Sequence, residues 1–385
     1  MFEILTLNQI SGKIYSVLDG YKITDTAKNP DAIIVRSFNM QDYQIQDNLL
    51  AVARAGAGVN NIPISRMTEV GIAVFNTPGA NANAVKELTI AAMLLTSRGI
   101  LQGVNWANSE LADKGADVPK LVEKGKSQFG GIEISGKTLG VIGLGAIGVK
   151  VANAALALGM NVVGYDPYIK EEYKALLNPQ VGKAELSDIF EQSDFISLHL
   201  PLTDSTRNTI NAAVLSAVKP GAVIINMSRA ELVDTSAVKN SLAEGRLRGY
   251  AVDFPTAETL NVKGIIAMPH LGASTEDAEE NCAELAALQL KDYLENGNVK
   301  NSVNFPSLSK PRTASRRISI VYNTDRGVLE KIKALLSGID YSLSFAESKD
   351  LGYALIDTDI DFWSGDVSYA ESLAYEDDII SLRVL

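Results

Sequence analysis

The segment from residue 138 to residue 167 constrains the fold more than any other. An apolar strand is followed by a turn containing Gly143, Gly145 and Gly148, then by a helix and a second strand that ends at Asp166. In this context the glycines suit a tight turn against a diphosphate at the helix N-terminus. A carboxylate at Asp166 accepts hydrogen bonds from ribose hydroxyls and repels a 2′-phosphate, which predicts NAD rather than NADP. The alternative is a glycine turn in an unrelated α/β protein.

Short apolar runs alternate with helical or loop segments on both sides of this unit, a pattern typical of parallel α/β architecture. Long helices are predicted over residues 85–101 and 274–296. The predicted strands are residues 2–7, 32–37, 49–56, 72–79, 138–145, 161–167, 194–203, 222–229, 249–254 and 265–272.

The last part of the chain has a different pattern. A stretch rich in Pro and Ser predicts a linker over residues 305–315, and residues 316–385 follow the order βαββαβ, with a short helix near residues 364–376. This order predicts a small antiparallel sheet with two helices on one face.

Composition excludes several classes of function. The chain has 46 acidic and 35 basic residues, so a general nucleic-acid or anionic-membrane surface is not expected. One cysteine and two histidines provide no disulfide framework and little for a metal site, so we predict no metal. We find no apolar run of about 20 residues and no signal peptide, and we expect a cytoplasmic protein.

Three ionisable residues stand at or just after predicted strand ends: Arg229, Glu258 and His270. In open α/β sheets ligands bind at the carboxyl ends of the strands, so all three are expected to face one cleft. Histidine suits proton transfer, a paired carboxylate would fix its tautomer, and arginine suits a carboxylate in fork geometry. Each residue also has an alternative without a catalytic role. A single histidine after a strand, such as His270, is commonly a structural residue, and Arg229 and Glu258 taken singly are commonly solvated charges.

Together with these residues, long stretches of the chain resemble the D-2-hydroxyacid dehydrogenase family. The resemblance covers nearly the whole chain and rests on IIVRS, RAGAGVNNI, FNTPGANANAVKE, SGKTLGVIGLGAIG, VVGYDP, LHLPLTDSTR, INMSRAELVD, VDFPTAE and PHLGASTEDAEEN. It implies that His270 is the acid–base group, Glu258 its partner and Arg229 the substrate-orienting residue. Among the family's activities it favours NAD-dependent oxidation of 3-phospho-D-glycerate.

The resemblance also implies contacts with substrate and cofactor. Arg36 matches a phosphate ligand and Asn81 another substrate contact, while Lys126 matches a further basic position loosely. The residues Ala55, Gly56, Gly58 and Val59 match the loop whose backbone N–H groups hold the substrate carboxylate. The cofactor contacts implied are Ala146 and Ile147 over the diphosphate, His199, Leu200, Pro201 and Thr206 near the adenosine, Asp253 at the nicotinamide amide, and Gly272 closing the site.

The family pattern implies a Rossmann-type NAD domain at residues 97–273 and a discontinuous, flavodoxin-like substrate domain at residues 1–96 and 274–304. Residues 316–385 resemble an ACT domain, an α+β amino-acid-binding module. The residues that bind its effector in serine-sensitive relatives are replaced here by Tyr322, Thr324 and Asp340, so the domain is expected to support assembly if not regulation.

Three departures fall in the catalytic domains: Asn60 and Thr259 stand in place of the family's Asp and Pro, and NTPGANANAVKE stands where the family has NTPxxNxxSVAE. None of these removes a catalytic group. We expect a homodimer or homotetramer that acts on a phosphorylated 2-hydroxy acid. The alternatives are a sister enzyme for glycerate, hydroxypyruvate or another 2-hydroxy acid, and an NAD-sensing interaction protein like the corepressors that share this fold.

Overall fold

The computed structural model describes residues 1–324, 327–360 and 378–385, and it divides into two compact units. The first consists of residues 1–80 and 279–385, and the second of residues 81–278. The predicted helix near residues 364–376 lies outside the described residues.

The strands are β1 Glu3–Leu7, β2 Lys22–Thr24, β3 Ala32–Val35, β4 Ala51–Arg54, β5 Ala73–Phe75, β6 Thr138–Ile142, β7 Asn161–Tyr165, β8 Gly182–Lys183, β9 Phe195–Leu198, β10 Ala222–Asn226, β11 Leu247–Val252, β12 Ile265–Ala267, β13 Arg316–Asn323, β14 Ser342–Ser348, β15 Leu351–Thr358 and β16 Ile379–Val384. The α-helices are α1 Lys13–Val17, α2 Ile64–Glu69, α3 Ala82–Ser97, α4 Ile100–Glu110, α5 Val118–Gly125, α6 Ala146–Ala157, α7 Glu171–Lys174, α8 Leu186–Gln192, α9 Ala212–Ala217, α10 Thr235–Ala243, α11 Glu276–Asn296 and α12 Val328–Leu335. Short 3-10 turns cover Gly115–Asp117, Lys126–Phe129 and Ala230–Leu232.

The first unit contains a parallel five-stranded sheet in the order β2-β1-β3-β4-β5. This is the flavodoxin-like order, as predicted. All four residues of β3 are buried. They are all apolar because a parallel strand is covered on both faces. Strand β2 was missed by the sequence analysis because it is a short edge strand without a buried residue, and only its pairing with β1 defines it.

The second unit contains a parallel seven-stranded sheet in the order β12-β11-β10-β9-β6-β7-β8. The strand order reverses between β6 and β9, as it does in the Rossmann fold, and ligands bind in such sheets at the carboxyl ends beside the reversal. The predicted Rossmann-type fold is therefore confirmed. One predicted helix is divided in two, because Arg98 is extended between α3 and α4 and Gly99 lies against the backbone of Phe129.

The C-terminal sheet is antiparallel, in the order β14-β15-β13-β16. Alternation along β13 gives it two apolar faces. Ile320 packs with Ile332 of α12, whereas Val321 belongs to a buried cluster that includes Tyr293 of α11. The C-terminal sheet therefore shares one continuous core with the rest of the first unit.

The predicted linker begins inside this core. Asn304 accepts a hydrogen bond from the backbone of Val74 and donates one to Ile72, and Phe305 and Leu308 are buried. Asn304 has the side-chain groups to pair both a free N–H and a free carbonyl at the edge of β5. The proposed domain limits stay a prediction. The start of the predicted linker is fixed by the hydrogen bonds of Asn304 and by burial of Phe305 and Leu308.

Candidate active site

The glycine turn after β6 has the geometry that a diphosphate needs. Gly143 has a φ of 93°, and a Cβ there would lie 2.5 Å from the carbonyl oxygen of His199. A Cβ on Gly148 would lie 1.9 Å from the carbonyl oxygen of Gly143, so helix α6 approaches β6 only with glycine. Gly145 is different, since a Cβ there would meet no atom within 4 Å. Open space at Gly145, directly before α6, fits a phosphate group at the helix N-terminus.

Asp166 lies beside this turn. Its Oδ2 accepts a hydrogen bond of 2.8 Å from the N–H of Leu144, and its Oδ1 accepts one of 2.8 Å from the N–H of Tyr168. The carboxylate is thus oriented toward the glycine turn, with lone pairs left for ribose hydroxyls. Ala146 and Ile147 form the first turn of α6, where the family resemblance predicts the diphosphate.

The loop after β9 contains the next group of predicted cofactor residues. Nε2 of His199 lies 2.8 Å from the hydroxyl of Ser197, and Nδ1 is buried without a hydrogen-bond partner among the described residues. Burial lowers the pKa of His199 to about 4, so the ring is neutral at pH 7. Thr206 closes the loop by donating to the carbonyl of Pro201. Leu200 lies beside Gly143.

Asp253 organises the segment that carries His270. Its two carboxylate oxygens accept hydrogen bonds of 2.7 Å each from the N–H groups of Leu271 and Gly272, and the residue is 1% exposed. Burial raises the pKa of Asp253, although these hydrogen bonds and the charge of His270 oppose the rise. Both oxygens of the Asp253 carboxylate therefore form hydrogen bonds with the segment that follows His270.

His270 itself is held in a left-handed backbone conformation, with a φ of 56°. Its ring packs on Phe254 at 4.4 Å between centroids, and the guanidinium of Arg229 lies 5.1 Å from the centre of the same phenyl ring. Glu258 is exposed, and within this described segment no hydrogen bond or ion pair joins Glu258 to His270. The structure brings Arg229 and His270 to the same aromatic ring, and Glu258 is not bonded to His270.

Two residues missed by the sequence analysis support this arrangement. Phe254 lies between the two catalytic candidates, as described above. The amide of Asn226 donates to the carbonyl of Arg229 at 2.7 Å and accepts from the N–H of Ser228 at 3.1 Å. Asn226 is fully buried at the end of the apolar strand β10. A buried amide in such a strand is the signal that would have identified it, since buried polar groups need partners.

In the first unit the predicted substrate loop follows β4. Ala55 is buried and donates to the carbonyl of Val35, while the N–H groups of residues 57–59, which include Gly58 and Val59, make no hydrogen bond with any residue that the structure describes. Arg54, another residue missed from sequence, lies under the loop: a Cβ on Gly56 would be 2.5 Å from its Nη1. Free amides beside a guanidinium form a site for an anion.

The other predicted substrate residues are distributed differently. Nη2 of Arg36 forms an ion pair with Oε1 of Glu279 at 2.7 Å. Asn81 is the N-cap of α3 and belongs to the second unit, where its side chain makes no capping hydrogen bond. Lys126 is paired with Glu123 on the surface. Among the described residues no helix is long and apolar enough to cross a membrane, and no group of three metal-binding side chains occurs.

Comparisons with known proteins agree with this fold, which defines an α/β protein with a dinucleotide-binding type of sheet. Residues 90–273 match the NAD-binding domain of the D-isomer specific 2-hydroxyacid dehydrogenases. The chain is 38% identical over 261 residues to hydroxypyruvate reductase of Thermotoga maritima, an alignment that covers 65% of this chain and 80% of the relative. The chain belongs to the D-isomer specific 2-hydroxyacid dehydrogenase family.

Two phosphoglycerate dehydrogenases are also similar. The chain is 36% identical over 300 residues to D-3-phosphoglycerate dehydrogenase of Methanocaldococcus jannaschii, which covers 76% of this chain and 55% of that protein. The chain thus spans about half the length of this relative. The NAD⁺-bound structure of 3-phosphoglycerate dehydrogenase from Entamoeba histolytica superposes with a TM-score of 0.62 at 28% identity, covering 79% of this chain and 98% of that one. The predicted family and the NAD cofactor are confirmed.

Proposed function

We propose that the chain oxidises 3-phospho-D-glycerate to 3-phosphohydroxypyruvate with NAD, the first step of L-serine synthesis. The observation that carries the choice of substrate is the pair of guanidinium groups, Arg36 and Arg54, beside the free amides of residues 57–59. A substrate with a carboxylate and a phosphate needs two separate anion sites, and these groups supply both. The 36% identity to a phosphoglycerate dehydrogenase supports the same choice.

In this proposal bound NAD supplies the hydride acceptor, and the protein supplies the proton acceptor and the orientation. The imidazole of His270 takes the proton of the substrate hydroxyl as general base. Arg229 binds the substrate carboxylate and stabilises the developing oxyanion. Phe254 holds both side chains in place through its two ring contacts. Glu258 would pair with His270 only after a rearrangement, since no hydrogen bond or ion pair joins them in the described part of the chain.

Several finer roles belong to the same proposal. Gly143, Gly145, Gly148 and Asp166 hold the NAD diphosphate and ribose, and the loop of residues 199–206 lies near the adenosine. The C-terminal sheet serves assembly as an ACT-like domain, in a homodimer or homotetramer. A cytoplasmic location stays a prediction from the sequence. Tyr322, at a predicted effector position, is buried and donates to Glu347, which leaves it no hydrogen to donate to an effector.

The test measures NADH formation by the purified chain with phosphoglycerate, glycerate and other 2-hydroxy acids. We expect turnover of phosphoglycerate that is abolished by His270→Ala. Arg36→Ala should raise KM for phosphoglycerate much more than for glycerate. An equal loss on both substrates would remove the phosphoglycerate assignment.

The second candidate is a hydroxypyruvate or glycerate enzyme, which the 38% identity to a hydroxypyruvate reductase favours. It predicts higher kcat/KM for the unphosphorylated acids. Binding of NAD without turnover of any 2-hydroxy acid would instead favour an NAD-sensing interaction protein.

A further inference from the structure

Arg36, the guanidinium proposed to bind the substrate phosphate, is already engaged by a carboxylate. Its Nη2 lies 2.7 Å from Oε1 of Glu279, and the two side chains are 33% and 41% exposed. Arg36 follows the buried strand β3, and Glu279 lies near the start of α11. Because both groups remain accessible to water, an incoming anion can reach this ion pair.

The pair belongs to a small group of charges beside the substrate loop. Nε of Arg54 donates to the backbone carbonyl of Arg36 at 3.0 Å. Burial raises the pKa of the Cys282 thiol, one helical turn after Glu279; the charge of Glu279 also raises it, and the charges of Arg36 and Arg54 lower it. Two positive charges and one negative charge therefore share one neighbourhood, and the negative charge offsets one of the two guanidinium groups.

This arrangement affects two kinds of substrate differently. A phosphate that binds Arg36 must displace the Glu279 carboxylate or lie close to it, and like charges repel at that distance. A substrate without phosphate does not need Arg36. We propose that Glu279 is a specificity-determining residue that competes for Arg36 and weakens the binding of phosphorylated 2-hydroxy acids relative to unphosphorylated ones. The proposal rests on the proposed function for the phosphate-binding role of Arg36.

The size of the effect follows from the exposure of the pair. A partly exposed ion pair contributes modestly to the free energy because water screens it. Removing the repulsion between the Glu279 carboxylate and a phosphate adds to the gain in affinity for the phosphorylated ligand. Replacing Glu279 by glutamine should therefore tighten binding of a phosphorylated ligand roughly three- to ten-fold. The neutral amide keeps the shape of the side chain and removes only its charge.

The test compares Glu279→Gln with Glu280→Gln in the full chain. Glu280 is the matched control, because it is the next residue of α11 and its ion pair is with Lys13 at 3.7 Å. Calorimetry measures binding of 2-phosphoglycolate and of glycolate to each protein, and steady-state assays give KM for phosphoglycerate and glycerate. We expect Glu279→Gln to lower Kd for phosphoglycolate and KM for phosphoglycerate three- to ten-fold, with a much smaller change for the unphosphorylated compounds. Glu280→Gln should leave the ratio as it is.

A double variant identifies the cause. With Arg36→Gln in the background, Glu279→Gln should give a much smaller gain in affinity, because only the repulsion from the carboxylate is removed and no guanidinium is released. An unchanged or weaker phosphoglycolate affinity in Glu279→Gln, or the same gain without Arg36, overturns the proposal.

The calorimetric arm separates this proposal from the proposed function. If the wild-type chain turns over no phosphoglycerate but Glu279→Gln binds phosphoglycolate more tightly, only the proposed reaction is refuted. If phosphoglycerate is turned over and Glu279→Gln changes nothing, only the role of Glu279 is refuted. If neither protein binds phosphoglycolate and neither turns over phosphoglycerate, both are refuted.

Discussion

His199 should make the stability of the second unit depend on pH in a range where few other groups titrate. The ring is buried, with one nitrogen on Ser197 and the other without a partner among the described residues. Burial lowers its pKa from 6.5 to about 4. Between these values the unfolded chain binds a proton that the folded chain does not, so acidification favours unfolding. The contribution is fully present above about pH 6.5 and is lost as the pH falls toward about 4.

The magnitude follows from the two pKa values. At about pH 5.5 the loss of stability relative to neutral pH is about 1.4 kcal/mol, and the limit at low pH is about 3 kcal/mol. For a unit of this size, a loss of about 1.4 kcal/mol lowers Tm by roughly 3–6 °C. The chain has two histidines, and the other, His270, is exposed, so the range between about pH 5 and 7 is simple to interpret.

The assay is thermal and denaturant unfolding at several pH values between about 5 and 7, on the wild type, His199→Gln and His270→Gln. His199→Gln should lose stability at neutral pH but show a much flatter dependence on pH, whereas His270→Gln should keep the wild-type dependence. Proton NMR provides an independent readout, because the imidazole signal lost in His199→Gln should stay unshifted down to about pH 5. The reasoning is refuted if wild type and His199→Gln lose the same stability across this range.

Three further outcomes follow from the site and the core. Gly148→Ala should unfold or distort the turn, because its Cβ would lie 1.9 Å from a backbone oxygen, and circular dichroism would detect the change. Gly145→Ala should fold normally but weaken NAD binding, which NADH fluorescence would detect. Phe254→Leu should lower kcat roughly three- to ten-fold, since ring contacts of about 0.5–1.5 kcal/mol hold His270, and unchanged kcat would argue against that support. Asp357→Asn should cost about 3–5 kcal/mol in unfolding experiments by breaking a buried bidentate pair with arginine, and a loss below about 1 kcal/mol would contradict this.

The sequence by itself determined most of the strands, the longest helices in part, and the nucleotide turn. The apolar runs of β3 and β10 are buried throughout, and a continuous apolar run is what a parallel strand covered on both faces requires. The positive φ of Gly143 and the close contact of Gly148 with Gly143 are equally local in origin, since both arise within one strand–turn–helix unit. These features could be predicted because each depends on residues near in sequence.

The tertiary structure decided how the predicted residues are used. Asp253 is predicted to meet the nicotinamide amide, and the structure adds that its carboxylate accepts hydrogen bonds from the backbone that follows His270. Arg36 is predicted as a phosphate ligand, and the structure adds that it is paired with Glu279, some 240 residues later in the chain. Side-chain partners of this kind depend on which elements pack together, and neither periodicity nor motif spacing contains that information. The residue types at the site are local, but their hydrogen bonds and charges are set by contacts between distant segments.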